Sequence, residues 1–270
     1  MTLTRTLLLL GALLTAACQS APTPTAPQTQ PSVPAPQECK ALGEPDVLAQ
    51  HEGASLVRWE LPANDVWRAQ ALPKSPALAR YRARIQAAGG DLLHPVADAP
   101  DIPNDYMREV WRREDHNRDL AYSGKAGRVR PVQCWEALML ARHFERVDPF
   151  KTPSEFIAAM TLSPNGQRVR FYFGAGTEAF PPKQVYPFEA VSQDVGRGWR
   201  FEGFLHNHTV RSHNGQPALG VPAPSTNDVM LSRGLVSELG MGAVWVTNGF
   251  YTADIPAEAL DGYLTPPKAP

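Results

Sequence analysis

An α/β fold with a helical section in front of it is predicted for this 270-residue chain on three observations. Residues Val169 to Phe173, VRFYF, alternate as a strand does. Residues Ala243 to Thr247, AVWVT, form a short buried-looking run that ends on the hairpin signal Asn248-Gly249. Between them Thr226 to Leu239 reads as a helix, so hairpin, strand, helix and strand follow in the order of an α/β sandwich.

The chain opens on residues 1–17, a single basic residue, Arg5, and a leucine-rich run too short to span a bilayer, which is the pattern of a secretory signal peptide. Leu14 to Cys18, LTAAC, resembles the lipobox of bacterial lipoproteins, with Thr15 where leucine is commoner. That resemblance implies lipidation of Cys18 and a membrane-anchored protein of the cell envelope, facing periplasm or exterior. An ordinary cleavage site with a chance cysteine, or a mitochondrial-type leader, is the plainer alternative. Residues 18–38 are dense in proline and poor in large apolar side chains, which makes a tether.

Residues 39–147 read as mostly helical. Leu78, Tyr81 and Ile85 share one stripe of a helix over Pro76–Ala88 that stops at Gly89-Gly90. Asn104 can cap a second helix with Tyr106, Met107, Val110 and Trp111 on its apolar face, and a third near residues 131–147 turns Trp135, Leu138 and Met139 inward. The run from Arg112 to Asp115 reads as a solvated helix face. With Cys18 lipidated, Cys39 and Cys134 are left as an even pair, expected as a disulfide in an oxidising compartment; two buried thiols are the alternative.

Residues 148–270 hold the candidate chemistry. A hairpin starts at Glu155, turns at Ser163–Gly166 and returns through Val169–Phe173; an irregular stretch spans Gly174–Gly198; Trp199–His208 is a strand. On that strand His206 and His208 are two apart and point to one side. Ser225 and Asp228 open the following helix, where Asp228 can supply a third ligand to a metal with an open position. Each motif has a bland reading: two histidines on a polar strand face, and a capping box with a structural job.

Together, His206-X-His208, Ser225-X-X-Asp228 and an upstream glutamate resemble the JAMM (MPN-plus) metalloproteases over about 100 residues, from Glu155 to Ile255. The resemblance implies a cytidine-deaminase-like α/β sandwich, Zn2+ on His206, His208 and Asp228, a glutamate as general base and Ser225 as oxyanion donor. By alternation Glu202 faces the same side as His206, but it lies four residues away, roughly 13 Å along the strand, too far to share one water. Glu178 and Glu189 fall in the irregular stretch, whereas Glu155 opens the hairpin about 50 residues upstream of His206, as the family's glutamate does. Two departures stand out: Thr209 replaces the family's proline, and 16 residues separate His208 from Ser225, a longer loop that contains His213.

The expected reaction is hydrolysis of a peptide or isopeptide bond in a peptide or protein substrate. A second enzyme reading is a peptidoglycan peptidase of the His-X6-Asp, His-X-His type, for which His94 and Asp101 have the spacing; it leaves Ser225 and Asp228 without a role. A metal-binding envelope lipoprotein without catalysis is the third. A net charge of −1 offers no footprint for nucleic acid, and nothing in the sequence speaks to oligomeric state.

Overall fold

The computed structural model describes residues 37–68, 71–95, 104–213 and 216–264. The leader, Cys18, most of the tether and Asp101 lie outside the described residues. The chain is a mixed α/β protein, with an eight-stranded, mostly antiparallel sheet and seven helices among the described residues.

The strands are β1 (Asp46–His51), β2 (Ala54–Pro62), β3 (Arg128–Pro131), β4 (Phe156–Leu162), β5 (Arg168–Ala175), β6 (Arg200–Asn207), β9 (Ala243–Thr247) and β10 (Tyr251–Pro256), with β7 (Val210–His213) and β8 (Gln216–Leu219) in a separate two-stranded ribbon. In space they run β1-β2-β5-β4-β6-β9-β10-β3. β6 and β9 are parallel, because the chain crosses from one to the other through α6 (Thr226–Leu239); the other neighbours are antiparallel. Parallel pairing places the ends of β6 and β9 together, and antiparallel β4 starts beside them. Three chain segments thus meet at one end of the sheet, where the candidate ligands lie.

The expected hairpin is the β4–β5 pair, Phe156 opposite Ala175 and Leu162 opposite Val169. All seven residues of β4 are buried, as for a central strand covered on both faces. One face carries a cluster with Leu78, Tyr81, Ile85, Trp135, Met139, Phe156, Phe171 and Phe173, drawn from α2 (Pro76–Ala88), α4 (Cys134–Phe144) and the sheet. The other packs Val191 of α5 (Phe188–Val195), Val229 and Leu235 of α6 and Leu260 and Tyr263 of α7 (Leu260–Leu264) against Phe201, Phe204 and Val246.

Three differences from the sequence reading have physical causes. Residues 39–147 do contain α1 (Ala63–Trp67), α2, α3 (Asp105–Ser123) and α4, but they also supply β1, β2 and β3. Since β2 pairs β5 and β3 pairs β10, the sections before and after residue 147 share one sheet. The irregular stretch contains α5, which starts directly after Pro187; proline presets the backbone there and lacks only an N–H that a helix start does not use. On α3, Tyr106 is 74% exposed and Val110 and Trp111 are half-buried, so this face is not a core face. Cys39 and Cys134 are bonded as a disulfide that ties the start of the described chain to α4.

Candidate metal centre

His206 is the penultimate residue of β6, before Asn207, and His208 follows the strand, still held to the sheet by its N–H donating to Thr247 O at 2.8 Å. Alternation sends both imidazoles to one side, and both are buried. Their Nε2 atoms are 3.2 Å apart. Asp228 brings Oδ2 to 3.2 Å from His206 Nε2 and 3.5 Å from His208 Nε2. A tetrahedral ion with bonds of about 2.0–2.1 Å has ligand–ligand edges of roughly 3.3 Å, so the three atoms already have the spacing of one face of that tetrahedron. The two carboxylates are the more exposed members of the group: the side chains of Asp228 and Glu155 are 18% and 29% exposed, against 6% and 8% for His206 and His208.

The tautomer of His208 follows from its partner. Its Nδ1 lies 3.1 Å from Val221 O, a carbonyl that can only accept, so the proton sits on Nδ1 and Nε2 presents a lone pair. Gly220 makes this contact possible: a Cβ there would lie 1.9 Å from His208 O, so only glycine lets the returning loop come this close. His206 Nδ1 is buried without a protein partner among the described residues, and the ring stacks on Phe204. Burial alone would raise the Asp228 carboxyl, but His206 and then His208 outweigh it and hold Asp228 well below the usual carboxylate range. Two imidazole nitrogens and one carboxylate oxygen make a donor set suited to a divalent cation.

Asp228 is placed by the N-terminus of α6. Ser225 is the N-cap: its Oγ accepts from Asp228 N at 3.2 Å, and its N–H donates to Asp228 Oδ2 at 2.7 Å. The capping box is therefore present, and it aims the carboxylate at the histidines. Because Ser225 Oγ accepts in this box, its own hydroxyl hydrogen stays available for donation. Glu114 of α3 adds a further cap, accepting from Thr226 N at 3.0 Å, so one member of the run expected to be solvated reaches across to another helix.

Glu155 sits one residue before β4, with Oε1 4.0 Å from His208 Nε2. Its backbone is clamped on both sides by Asn207, the residue between the two histidines, which points to the other face and is fully buried. Asn207 Oδ1 accepts from Phe156 N at 2.7 Å and Nδ2 donates to Ser154 O at 3.0 Å. The strand that carries the histidines thereby also fixes the glutamate.

The other candidates are placed elsewhere. Glu202 does not share a side with His206 as strict alternation predicts: the β4–β6 register shifts between Met160 and Thr161, so Phe201 and Phe204 fall in one buried cluster and Glu202 pairs with Arg200. Glu178 and Glu189 are exposed. His213 ends β7, and its side chain is outside what is described. His94 is exposed, with Nδ1 3.3 Å from Asp91 Oδ2, and is not part of the grouped ligands. No family model, curated protein or solved structure matches this chain. The geometry alone carries the assignment.

Asn207, Gly220, Val221 and Glu114 escaped the sequence reading. An asparagine inside an apolar strand was the one available signal, since a buried amide must find partners. Val221 acts through its carbonyl, which leaves no trace in a side-chain pattern.

Proposed function

We propose that this chain is a zinc metallopeptidase of the JAMM-like type, lipid-anchored in the cell envelope, that hydrolyses a peptide or isopeptide bond. The observation that carries the reading is the convergence of His206 Nε2, His208 Nε2 and Asp228 Oδ2 at 3.2–3.5 Å with Glu155 Oε1 at 4.0 Å from one of them. Zn2+ held by these three residues would supply Lewis acidity, lowering the pKa of a water and polarising the scissile carbonyl. Glu155, with Oε1 4.0 Å from the ligand nitrogen of His208, would accept a proton from the attacking water. The same carboxyl then hands that proton to the leaving amine. The Ser225 hydroxyl donates to the oxygen on which negative charge develops, a contribution of about 3 kcal/mol where such donors have been removed.

The test is a metal analysis of the purified protein with three variants. Zinc at one equivalent is expected, lost in Asp228→Ala and kept in Glu155→Gln, which loses hydrolysis of a peptide library by at least a hundredfold. Protein without metal, and with a stability indifferent to chelator, refutes the reading; a fully active Glu155→Gln refutes the base. Replacement of His94 leaves hydrolysis unchanged, and loss of activity there favours the peptidoglycan-peptidase alternative.

A further inference from the structure

We propose that the cleft between α3 and the segment leading into α6 receives an apolar side chain, of the leucine or phenylalanine class, adjacent to the scissile amide. The inference rests on the peptidase reading above. The cleft has a volume of about 260 Å³, and His208 and Ser225 form part of its wall. One is a proposed ligand and the other the proposed oxyanion donor, so the cleft opens directly onto the reacting centre. Consecutive α-carbons are about 3.8 Å apart, so a peptide whose carbonyl lies at Ser225 places a neighbouring side chain in this cleft.

Half of the lining is apolar, and the charged remainder comes from α3. Val110 and Trp111 come from α3, and Val221, Ala223 and Pro224 from the opposite segment. A half-buried indole beside a valine, on a helix face the sequence marks as apolar, is surface with unmet packing. The charged groups at the rim are already engaged. Glu114 accepts from Thr226 N, and Arg118 pairs with Asp115 at 2.9 Å and with Asp119 at 3.7 Å. An acidic side chain would meet Glu114 and Asp115, and a basic one would have to compete with Arg118. The wall is also held in place, because the buried Asn117 donates from Nδ2 to Pro224 O at 3.1 Å and so ties α3 to the segment across the cleft. The volume lies below the roughly 300–1,000 Å³ of pockets that enclose a whole small ligand and suits one residue.

The test measures equilibrium binding of reduced-amide peptides, in which CH2–NH replaces the scissile amide so that no cleavage occurs, to the full zinc-loaded chain. Probes carry Leu, Phe, Ala, Glu or Lys at one position flanking the replaced bond. Leu and Phe are expected to bind at least tenfold tighter than Ala, Glu or Lys. Trp111→Ala removes most of that preference, Trp111→Phe restores it, and Val110→Lys reverses it toward Glu, with zinc content unchanged in all three. Equal affinities, a preference for Glu or Lys in the unaltered chain, or a preference that survives both Trp111→Ala and Val110→Lys overturns the proposal. The two readings separate cleanly: zinc-dependent hydrolysis of a peptide library with no side-chain preference refutes the cleft alone. The binding preference in a chain that holds no zinc and cleaves nothing refutes the peptidase reading and leaves the cleft as a binding site.

Discussion

Replacing Asn207 by alanine tests whether the strand that bears the ligands also positions the glutamate. The substitution removes the acceptor of Phe156 N and one of the donors to Ser154 O, at 2.7 and 3.0 Å. Phe156 is fully buried, so its N–H is left without a partner, which costs about 1–3 kcal/mol. Ser154 O keeps His143 Nε2 at 3.0 Å, so that side loses about 1 kcal/mol, and the weaker contact to Thr209 Oγ1 at 3.3 Å adds little. The sum is about 3 kcal/mol of global stability, read by urea unfolding at pH 7.5. Zinc affinity, measured by chelator competition, is expected to change by less than threefold, because the imidazoles leave β6 on the opposite face. Hydrogen exchange at the Phe156 amide is expected to accelerate, while kcat falls at least tenfold with KM unchanged. A loss of stability below about 1 kcal/mol, or an unchanged Phe156 exchange rate, refutes the clamp.

Further outcomes follow from other contacts. Gly220→Ala forces Val221 O away from His208 Nδ1, and zinc affinity is expected to fall 10- to 100-fold, the usual effect of losing a partner behind a ligand; an unchanged affinity in chelator competition would show that the contact is dispensable. His143 is fully buried, and burial pushes its ring from 6.5 down to about 4, against a smaller opposing pull from Ser154. The unfolded chain therefore takes up the proton first. Stability from this group is intact above pH 6.5 and is lost progressively as pH falls toward 4, about 2 kcal/mol of it between pH 7.5 and pH 5. His143→Leu removes this component, and identical pH dependence in urea titrations of the two proteins would be the contrary result. The Cys39–Cys134 bond closes a separation of 95 residues, so reduction is expected to lower stability by about 4–5 kcal/mol on chain-entropy grounds, measured by unfolding with and without reductant. A shift below about 1 kcal/mol would show that the reduced chain is already constrained.

The parts of the fold that could be read in the sequence are those whose burial follows a single period. β5, β9 and α6 announce themselves because each exposes its pattern to one or both core faces, and α2 because Leu78, Tyr81 and Ile85 are all buried on one stripe. β1 does not, because as an edge strand it buries almost nothing, and β2 combines buried Leu56, Val57 and Trp59 with Arg58 and Glu60 in a run that can be read either way. Tyr106 looked like a core residue only because it falls on the stripe of Val110 and Trp111; that side of α3 meets a cleft instead. In the site, His206, His208 and Asp228 were legible because one strand and one helix cap set their directions. The clamp on Glu155 was not, since it joins side-chain amide to backbone across 51 residues of sequence. The face of Glu202 was misjudged because a β-bulge resets alternation without any marker beyond Gly203.

The interleaving of early and late strands limits how this protein can be divided. β1 and β2 flank one side of the strands that follow residue 147, and β3 flanks the other, so cleavage near that point strips both margins at once. A fragment of residues 148–270 would present β5 and β10 as raw borders. The first is eight residues long and carries buried Phe171 and Phe173, the kind of unguarded strand that recruits further copies of itself. Proteolytic release at this boundary would thus yield a species prone to self-association, and any trimming the protein tolerates belongs at its termini.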